Sequence, residues 1–301
     1  MAPVLDGLGQ KLAEKWLSSL AAPGLLFLAA AATGAVLGHG SALDRSAVFE
    51  RFEHWATVAG RWSTIGQLAV VAAIVLASVA LGSFVRVCAD GAERIWTGDW
   101  PALARPLADR LTARRLRRWE GIQAEIAQLR GPEPAHRRGE RLRRDLDERA
   151  ARRDGIALAP PCRPTFTGDR MAAAETRLRH QYGIDLASCW TRLWVLLPED
   201  VRTELRTSRA RFDAAVAGSA WAGCYALLGC FWWPAAVAAV GTGFVAWRRG
   251  RRAVTFHAEL VESTVDVYLK RLAEELGVDA SGSPPDPRVG AALNRLARKA
   301  G

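Results

Sequence analysis

The sequence predicts an all-α, polytopic helical membrane protein with four spans and a cytoplasmic helical-hairpin region. Three observations predict it. Residues 64–85 read TIGQLAVVAAIVLASVALGSFV, an uncharged run that as a helix covers roughly 30 Å, the thickness of a bilayer's hydrocarbon core. A second apolar zone, 216–247, ends abruptly in RRGRR. Between the two lies an Arg-dense block with no long apolar run. The bulk figures conceal this segregation: half of the residues are hydrophobic and the mean hydropathy is +0.01, values a soluble protein also shows.

Residues 1–20 are an N-terminal amphipathic, cytoplasmic segment in which Lys11, Lys15 and Trp16 suit the headgroup level. The first span is 21–40, with Pro23 tolerated in its first turn, where a missing N–H costs little. A cleaved signal peptide is the rival reading of this segment. Against it stand the long preceding stretch and a Leu37-Gly38-His39-Gly40 exit that makes a poor small-x-small site. In the extracytoplasmic loop 41–63, Phe49, Phe52, Trp55, Ala56 and Ala59 recur at helical spacing opposite Glu50, Arg51, Glu53 and His54. That is an amphipathic helix lying on the membrane surface, or a small cap packed over the spans. The second span is 64–86.

Residues 212–248 would make a helix of roughly 50 Å, too long for one span. Pro234, after Trp232 and Trp233, divides them into a transmembrane hairpin. Both flanks are basic, with Arg206, Arg209 and Arg211 before and Arg248, Arg249, Arg251 and Arg252 after, as expected when both ends face the cytoplasm. A re-entrant hairpin that never crosses is the alternative. The Arg-rich region 87–211 and both termini fall on the cytoplasmic side of the bacterial cell membrane by the positive-inside rule.

Within 87–211, Leu103, Leu107, Leu111, Leu116, Trp119, Ile122, Ile126 and Leu129 form one stripe of a helix over 101–130, which GPEP (131–134) stops. A second, very polar helix carries Leu142, Leu146 and Ala150; together the two predict an antiparallel hairpin or short coiled coil. Their arginine clusters are a solvated face or a contact for anionic lipid headgroups. After a Pro-rich linker (157–164), Thr167 or Asp169 caps a helix through Gln181, and Gly183 ends it. Asp185 caps the next, whose face is Leu186, Cys189, Trp190, Leu193, Trp194 and Leu197. Pro198 opens a third, with Glu199 and Asp200 in its first turn, leading through Leu205 and Phe212 into the hairpin. Residues 249–280 hold a cytoplasmic amphipathic helix (253–276) with Phe256, Leu260, Val261, Val265, Tyr268, Leu269, Leu272 and Leu276 on one side. It is expected to pack on the Trp119 or Trp190 helix or on another copy. Residues 281–301 form a flexible tail with a short basic helix that frays or touches headgroups.

One stretch carries a resemblance. Pro164, Thr165, Gly168, Asp169, Glu175, Arg177, Tyr182, Gly183, Asp185, Trp190, Arg192, Leu193, Trp194, Leu197, Pro198 and Arg202 fit the pattern P-T-x-x-G-[ND] … A-x-E-x-R … Y-G-[IL]-D … W-x-R-L-W-x-L-L-P-[ED]-x-x-R. This resembles a recurring module of uncharacterised actinobacterial multi-pass membrane proteins. It extends through the hairpin to AELVESTVDVYLKRL, about a third of the chain, and departs from the pattern at Thr191, where such sequences often have Pro. The resemblance implies a membrane architecture and a bacterial origin, and no catalytic activity comes with it.

No Walker loop, GxGxxG, HExxH, GxSxG or kinase signature is present. The five cysteines (Cys88, Cys162, Cys189, Cys224, Cys230) are odd in number, lack a CxxC, and include two within apolar segments, which argues against a disulfide framework and a zinc site. No cofactor or metal is expected. The net charge of +10 raises nucleic acid as a partner, but the basic residues crowd the ends of apolar segments and Arg outnumbers Lys about nine to one, a coding bias; no nucleic-acid binding is expected. Cys189 with His180 is the best nucleophile–base candidate. Gly34-x-x-x-Gly38, Gly218-x-x-x-Ala222 and Ala239-x-x-x-Gly243 are small-residue pairs that allow close helix contact and a homo-oligomer. Trp190, Arg192, Trp194, Tyr182 and Asp185 are the candidates for contact with the interface or a partner. The function that follows is a non-enzymatic scaffold or anchor presenting its helical region to cytosolic proteins. The alternative is an oligomeric pore-forming or transport component, as in a membrane effector of a stress or defence system.

Overall fold

The computed structural model describes residues 22–40, 42, 44–130, 139–280 and 286–298. Among the described residues every regular element is helical. In chain order the helices are α1 (Ala22–Leu37), α2 (Arg45–Gly60), α3 (Thr64–Thr97), a 3₁₀ turn (Ala102–Ala104), α4 (Arg105–Arg130), α5 (Glu140–Asp154), α6 (Phe166–Tyr182), α7 (Leu186–Leu196), α8 (Glu199–Gly229), α9 (Trp233–Glu275) and α10 (Pro287–Arg298). The chain divides into two compact units, one of residues 1–92 and 214–248, the other of 93–213 and 249–301.

In the first unit, small residues let helices meet at backbone distance. A Cβ at Gly24 would overlap the carbonyl oxygen of Ser78, itself fully buried on α3. The Phe27 ring lies 6.0 Å from that of Trp221 and 5.3 Å from that of Tyr225. Gly34 faces the Trp232 ring, whose Nε1 donates to Ala42 O at 3.2 Å. The segments 214–229 and 233–248 form a helical hairpin, with the turn at Cys230–Trp232 and Pro234 in the first turn of α9. Three glycines step along its seam: Gly218 against Ala246, Gly243 against Ala222, and Gly229 against Ala236. Those residue numbers rise on one helix as they fall on the other, the register of an antiparallel pair. Ala239 is buried in the same unit.

Gly38 is a correction. It does not continue the α1 stripe but stands past its end at φ +56, its N–H donating to Gly34 O at 2.9 Å, with nothing within 4 Å of a Cβ. It is a left-handed C-terminal cap, a role for which glycine has no steric cost. The cap alternative for 41–63 also fails: Phe49, Phe52 and Trp55 on α2 are exposed rather than packed under the loop.

By length and composition, one helical stretch among the described residues can cross a membrane by itself, the one beginning at Thr64, with a mean hydropathy of 2.6 in its most apolar 18-residue window. Only 17% of that window is buried within the chain, the reverse of a soluble protein's core helix. α1 is apolar but has 16 residues.

Gly24→Leu is expected to push α1 off α3, since the obstacle is backbone and cannot rotate away. We expect a loss of roughly 2–3 kcal/mol, read as a lower thermal midpoint of the detergent-solubilised protein. Gly40→Leu, at a site with nothing within 4 Å, is the control.

In the second unit α4 and α5 form the antiparallel hairpin. Arg149 Nε meets Glu125 at 3.3 Å, Arg153 Nη1 donates to Gln123 Oε1 at 2.9 Å, and the Arg153 guanidinium sits over the Trp119 ring. Leu103 leaves the predicted stripe: it falls in the 3₁₀ turn and is 98% exposed. The GPEP stop lies outside the described residues. The unit's core is built by α6, α7, α8, α9 and α10 through Leu178, Leu193, Leu205, Val265, Leu269 and Leu293.

α9 does not break at RRGRR and restart at 253; it runs unbroken for 43 residues. Gly250 in that motif is where the Trp96 ring edge packs, and a Cβ there would overlap it; Trp96 in turn stands edge-on to the buried Phe212. Phe256, placed on the buried stripe by periodicity, is exposed, and Val254 and Ala258 take the core face.

The cap of α6 is Thr165, not Thr167 or Asp169: its Oγ1 accepts from Gly168 N at 3.1 Å and donates to Trp96 O at 2.6 Å. Gly183, at φ 67, ends the helix as predicted. Residues 287–298, expected within a flexible tail, form α10 with Val289 and Leu293 buried. The rest of that tail (281–285 and 299–301) and the N-terminal segment 1–20 lie outside the described residues.

Candidate functional site

α7 is the short helix on which the candidate residues converge. It begins after Asp185, which holds the N-cap position but not by the expected bond to backbone: its Oδ2 accepts from Ser188 Oγ and from Arg298, both at 2.7 Å. These two donors, the hydroxyl first, hold its carboxyl below the usual range.

The structure sorts the five candidates onto two faces. Tyr182, Asp185 and Arg192 belong to the seat of α10. The Tyr182 hydroxyl donates to Asp266 Oδ1 at 2.8 Å and accepts from Gln181 Nε2 at 2.9 Å; burial, then that carboxylate, pushes its pKa up to about 12. Arg192 donates to Ser188 O and, from its other terminal nitrogen, to Ala297 O at 2.9 Å. These are positioning contacts between helices.

Trp190 and Trp194 instead line an open groove of about 640 Å³ among α6, α7, α8 and α9. Their rings lie 6.0 Å apart, and Leu186, Leu205 and Val261 complete the apolar surface. The polar rim is Glu175, Arg206, Arg209 and Asp213. The Arg206 guanidinium stands 5.4 Å over the Trp194 ring and pairs with Glu199 at 2.9 Å. Arg209 bridges Glu93 and, at 2.9 Å, Asp213.

His257 also lines the groove. Its Nδ1 is 2.8 Å from the fully buried Ser208 Oγ, which donates its one proton to Leu205 O. Burial first, and Arg209 second, push the His257 pKa below its ordinary 6.5. The unfolded chain thus takes up its proton first. Stability on this account is present above about pH 6.5 and lost as pH falls below it. We expect the thermal midpoint to drop in that window, and His257→Gln to flatten the drop.

Cys189 and His180 do not pair. The thiol is buried, donates to Asn294 Oδ1 at 3.6 Å, and is pushed up in pKa by burial, while His180 is exposed. A thiol held protonated is a poor nucleophile. The small-residue pairs turn inward: Gly218, Ala222 and Gly243 meet partners within this chain.

Sequence reasoning missed Asn294. Its Oδ1 accepts from Asp185 N and its Nδ2 donates to Gly183 O, each at 2.8 Å, so one amide satisfies both sides of the α6–α7 turn. The available signal was composition: Asn294 is the sole asparagine among 301 residues. Arg170 was missed too, and Asp169 was read as a helix cap and not as the partner of Arg115. Arg170, 2% exposed, pairs with Glu259 at 3.0 Å. The chain matches no family model, no curated protein and no solved structure.

Proposed function

We propose that the chain is a multi-pass integral membrane protein of a bacterial cell membrane that acts as a non-enzymatic scaffold, holding its second unit at the cytoplasmic face for protein partners. In this reading 21–40, 64–86 and the two legs of 212–248 are the four spans, and both termini are cytoplasmic. The observation that carries it is the surface of α3: Ile65, Leu68, Val71 and Leu76 are exposed along its uncharged run 64–85, which is long enough to cross a bilayer. Contiguous apolar surface of that extent is stable in lipid and a liability in water. The exposed aromatic face of α2, between two apolar helices, suits the interface plane. A second unit with its own core and an open Trp-lined groove is what a presented binding module requires.

The test is topology. Alkaline phosphatase and a fluorescent reporter are fused at His54, Gly131, Trp233 and Gly301. Phosphatase activity at His54 and Trp233, with fluorescence at Gly131 and Gly301, is expected. Phosphatase activity at Gly131 would place the second unit outside the cell and end the scaffold reading.

A further inference from the structure

We infer that the groove between Trp190, Trp194 and Arg206 is a binding site for one anionic phospholipid of the bilayer. The inference rests on the membrane reading above. Four features select this occupant. The floor, formed by Leu186, Trp190, Trp194, Leu205 and Val261, is aromatic and aliphatic, and it suits an acyl chain or a glycerol backbone. The volume of about 640 Å³ suits a headgroup with part of a chain rather than a folded partner.

Arg206 is the cation available to a phosphate. Its side chain is 57% exposed and is held over the Trp194 ring, so its position is set before any ligand arrives. Its present partner, Glu199, is itself 63% exposed, and an exposed pair of this kind is weak enough for a phosphate to displace. Guanidinium binds phosphate through two parallel N–H donors, a match that lysine cannot make. Arg209, tied to Glu93 and Asp213, instead fixes the rim.

The last feature is place along the chain. Asp213, at the edge of the groove, is the residue before the apolar segment 214–229 of the same unbroken helix. In the sequence, Arg209 stands five and Arg206 eight residues before that segment, in the basic flank that the membrane reading places at headgroup depth. Aromatic and arginine side chains at that depth are the usual anchors for phospholipid.

The experiment uses the full-length protein, delipidated in detergent and titrated with phosphatidylglycerol while bound lipid is counted by native mass spectrometry. One phosphatidylglycerol per chain is expected, with phosphatidylcholine binding at least several-fold more weakly. Arg206→Glu is expected to weaken binding about ten-fold, the loss of one charge-assisted contact. Trp194→Leu, which keeps an apolar side chain, should also weaken it. Arg144→Glu, at an exposed cation on α5, should leave it unchanged.

Equal losses in the Arg206 and Arg144 variants would overturn the proposal in favour of diffuse electrostatics. Displacement of the lipid by inorganic phosphate alone would mean that the site serves a soluble phosphate ligand. Equal binding of both lipids would overturn the selectivity for an anionic headgroup. A chain that alkaline carbonate strips from membranes would bring down the membrane reading itself; an integral chain that binds no phosphatidylglycerol brings down this inference alone.

Discussion

Gly290→Leu is expected to release α10 from the second unit, with a loss of about 3 kcal/mol or more. Gly290 lies flat against the turn that joins α6 to α7. A Cβ there would overlap the carbonyl oxygen of Tyr182 and stand 2.7 Å from Gly183 C and 2.8 Å from Ile184 N. All three obstacles are backbone. Gly183 is itself pinned at φ 67, and a Cβ on it would overlap Pro287 O, so neither side of the contact can yield. Lifting α10 also removes the two Asn294 bonds, the Arg192 bond to Ala297 O and the Arg298–Asp185 pair, and it opens Leu293 to water. Part-buried Gly183 O and Asp185 N would then lose their partner, a costly kind of loss. The readout is limited proteolysis, with cleavage between α9 and α10 appearing at protease levels that leave the wild type intact, together with a fall in thermal midpoint. Asn294→Ala keeps the glycine contact and should give an intermediate fall, of about 2 kcal/mol. An unchanged protease pattern in the Gly290 variant would mean that α10 is not seated on that turn in solution.

What could be read from the sequence follows from how local the cause is. The α8–α9 hairpin was legible because one residue, Pro234, stops one helix and starts the next. The end of α6 was legible because glycine at a C-terminal cap needs nothing beyond the helix it ends. The core face of α7 was legible from spacing alone. The split of its candidates between the groove and the seat of α10 was not, because it depends on a helix about a hundred residues later. α10 itself reads as a tail: it is short, basic and preceded by Ser, Gly and Pro, and its stability comes from docking rather than from propensity. RRGRR read as a helix boundary because charge changes there. The backbone responds instead to packing, and Gly250 is set by Trp96, far off in sequence. Gly38 shows the same limit at shorter range, since a small-residue pair and a helix cap look alike until the helix end is known.

Asp169→Ala is expected to be the other large loss, about 3–5 kcal/mol, from a residue that sequence reading assigned only to a helix start. Asp169 is 5% exposed. Its Oδ1 accepts from Cys162 N at 2.8 Å and from Arg163 N at 2.7 Å, and its Oδ2 accepts from Arg115 at 2.6 Å. Arg115 also donates to Ile156 O at 2.7 Å, so one carboxylate ties α4, the Pro-rich connection and α6 together. The connection has no regular backbone pairing of its own, and Asp169 supplies acceptors to two of its successive N–H groups. Removal of the carboxylate leaves those donors and a largely buried guanidinium without their partner, which costs far more than the pair contributes against an apolar replacement. Asp169→Asn isolates the charge. It keeps the shape and one acceptor oxygen, but presents an NH₂ group either to the Arg115 guanidinium or to the two backbone donors. Its loss should therefore lie between those of the wild type and the alanine variant. Arg115→Met in the Asp169→Asn background then reads the coupling. If the ion pair is the main term, the second substitution adds little to the first; if the backbone bonds dominate, the two losses add. Thermal unfolding of the wild type, Asp169→Asn, Arg115→Met and the double variant in one detergent decides between them. A wild-type midpoint in Asp169→Ala would mean that the Pro-rich connection is held by something other than this carboxylate.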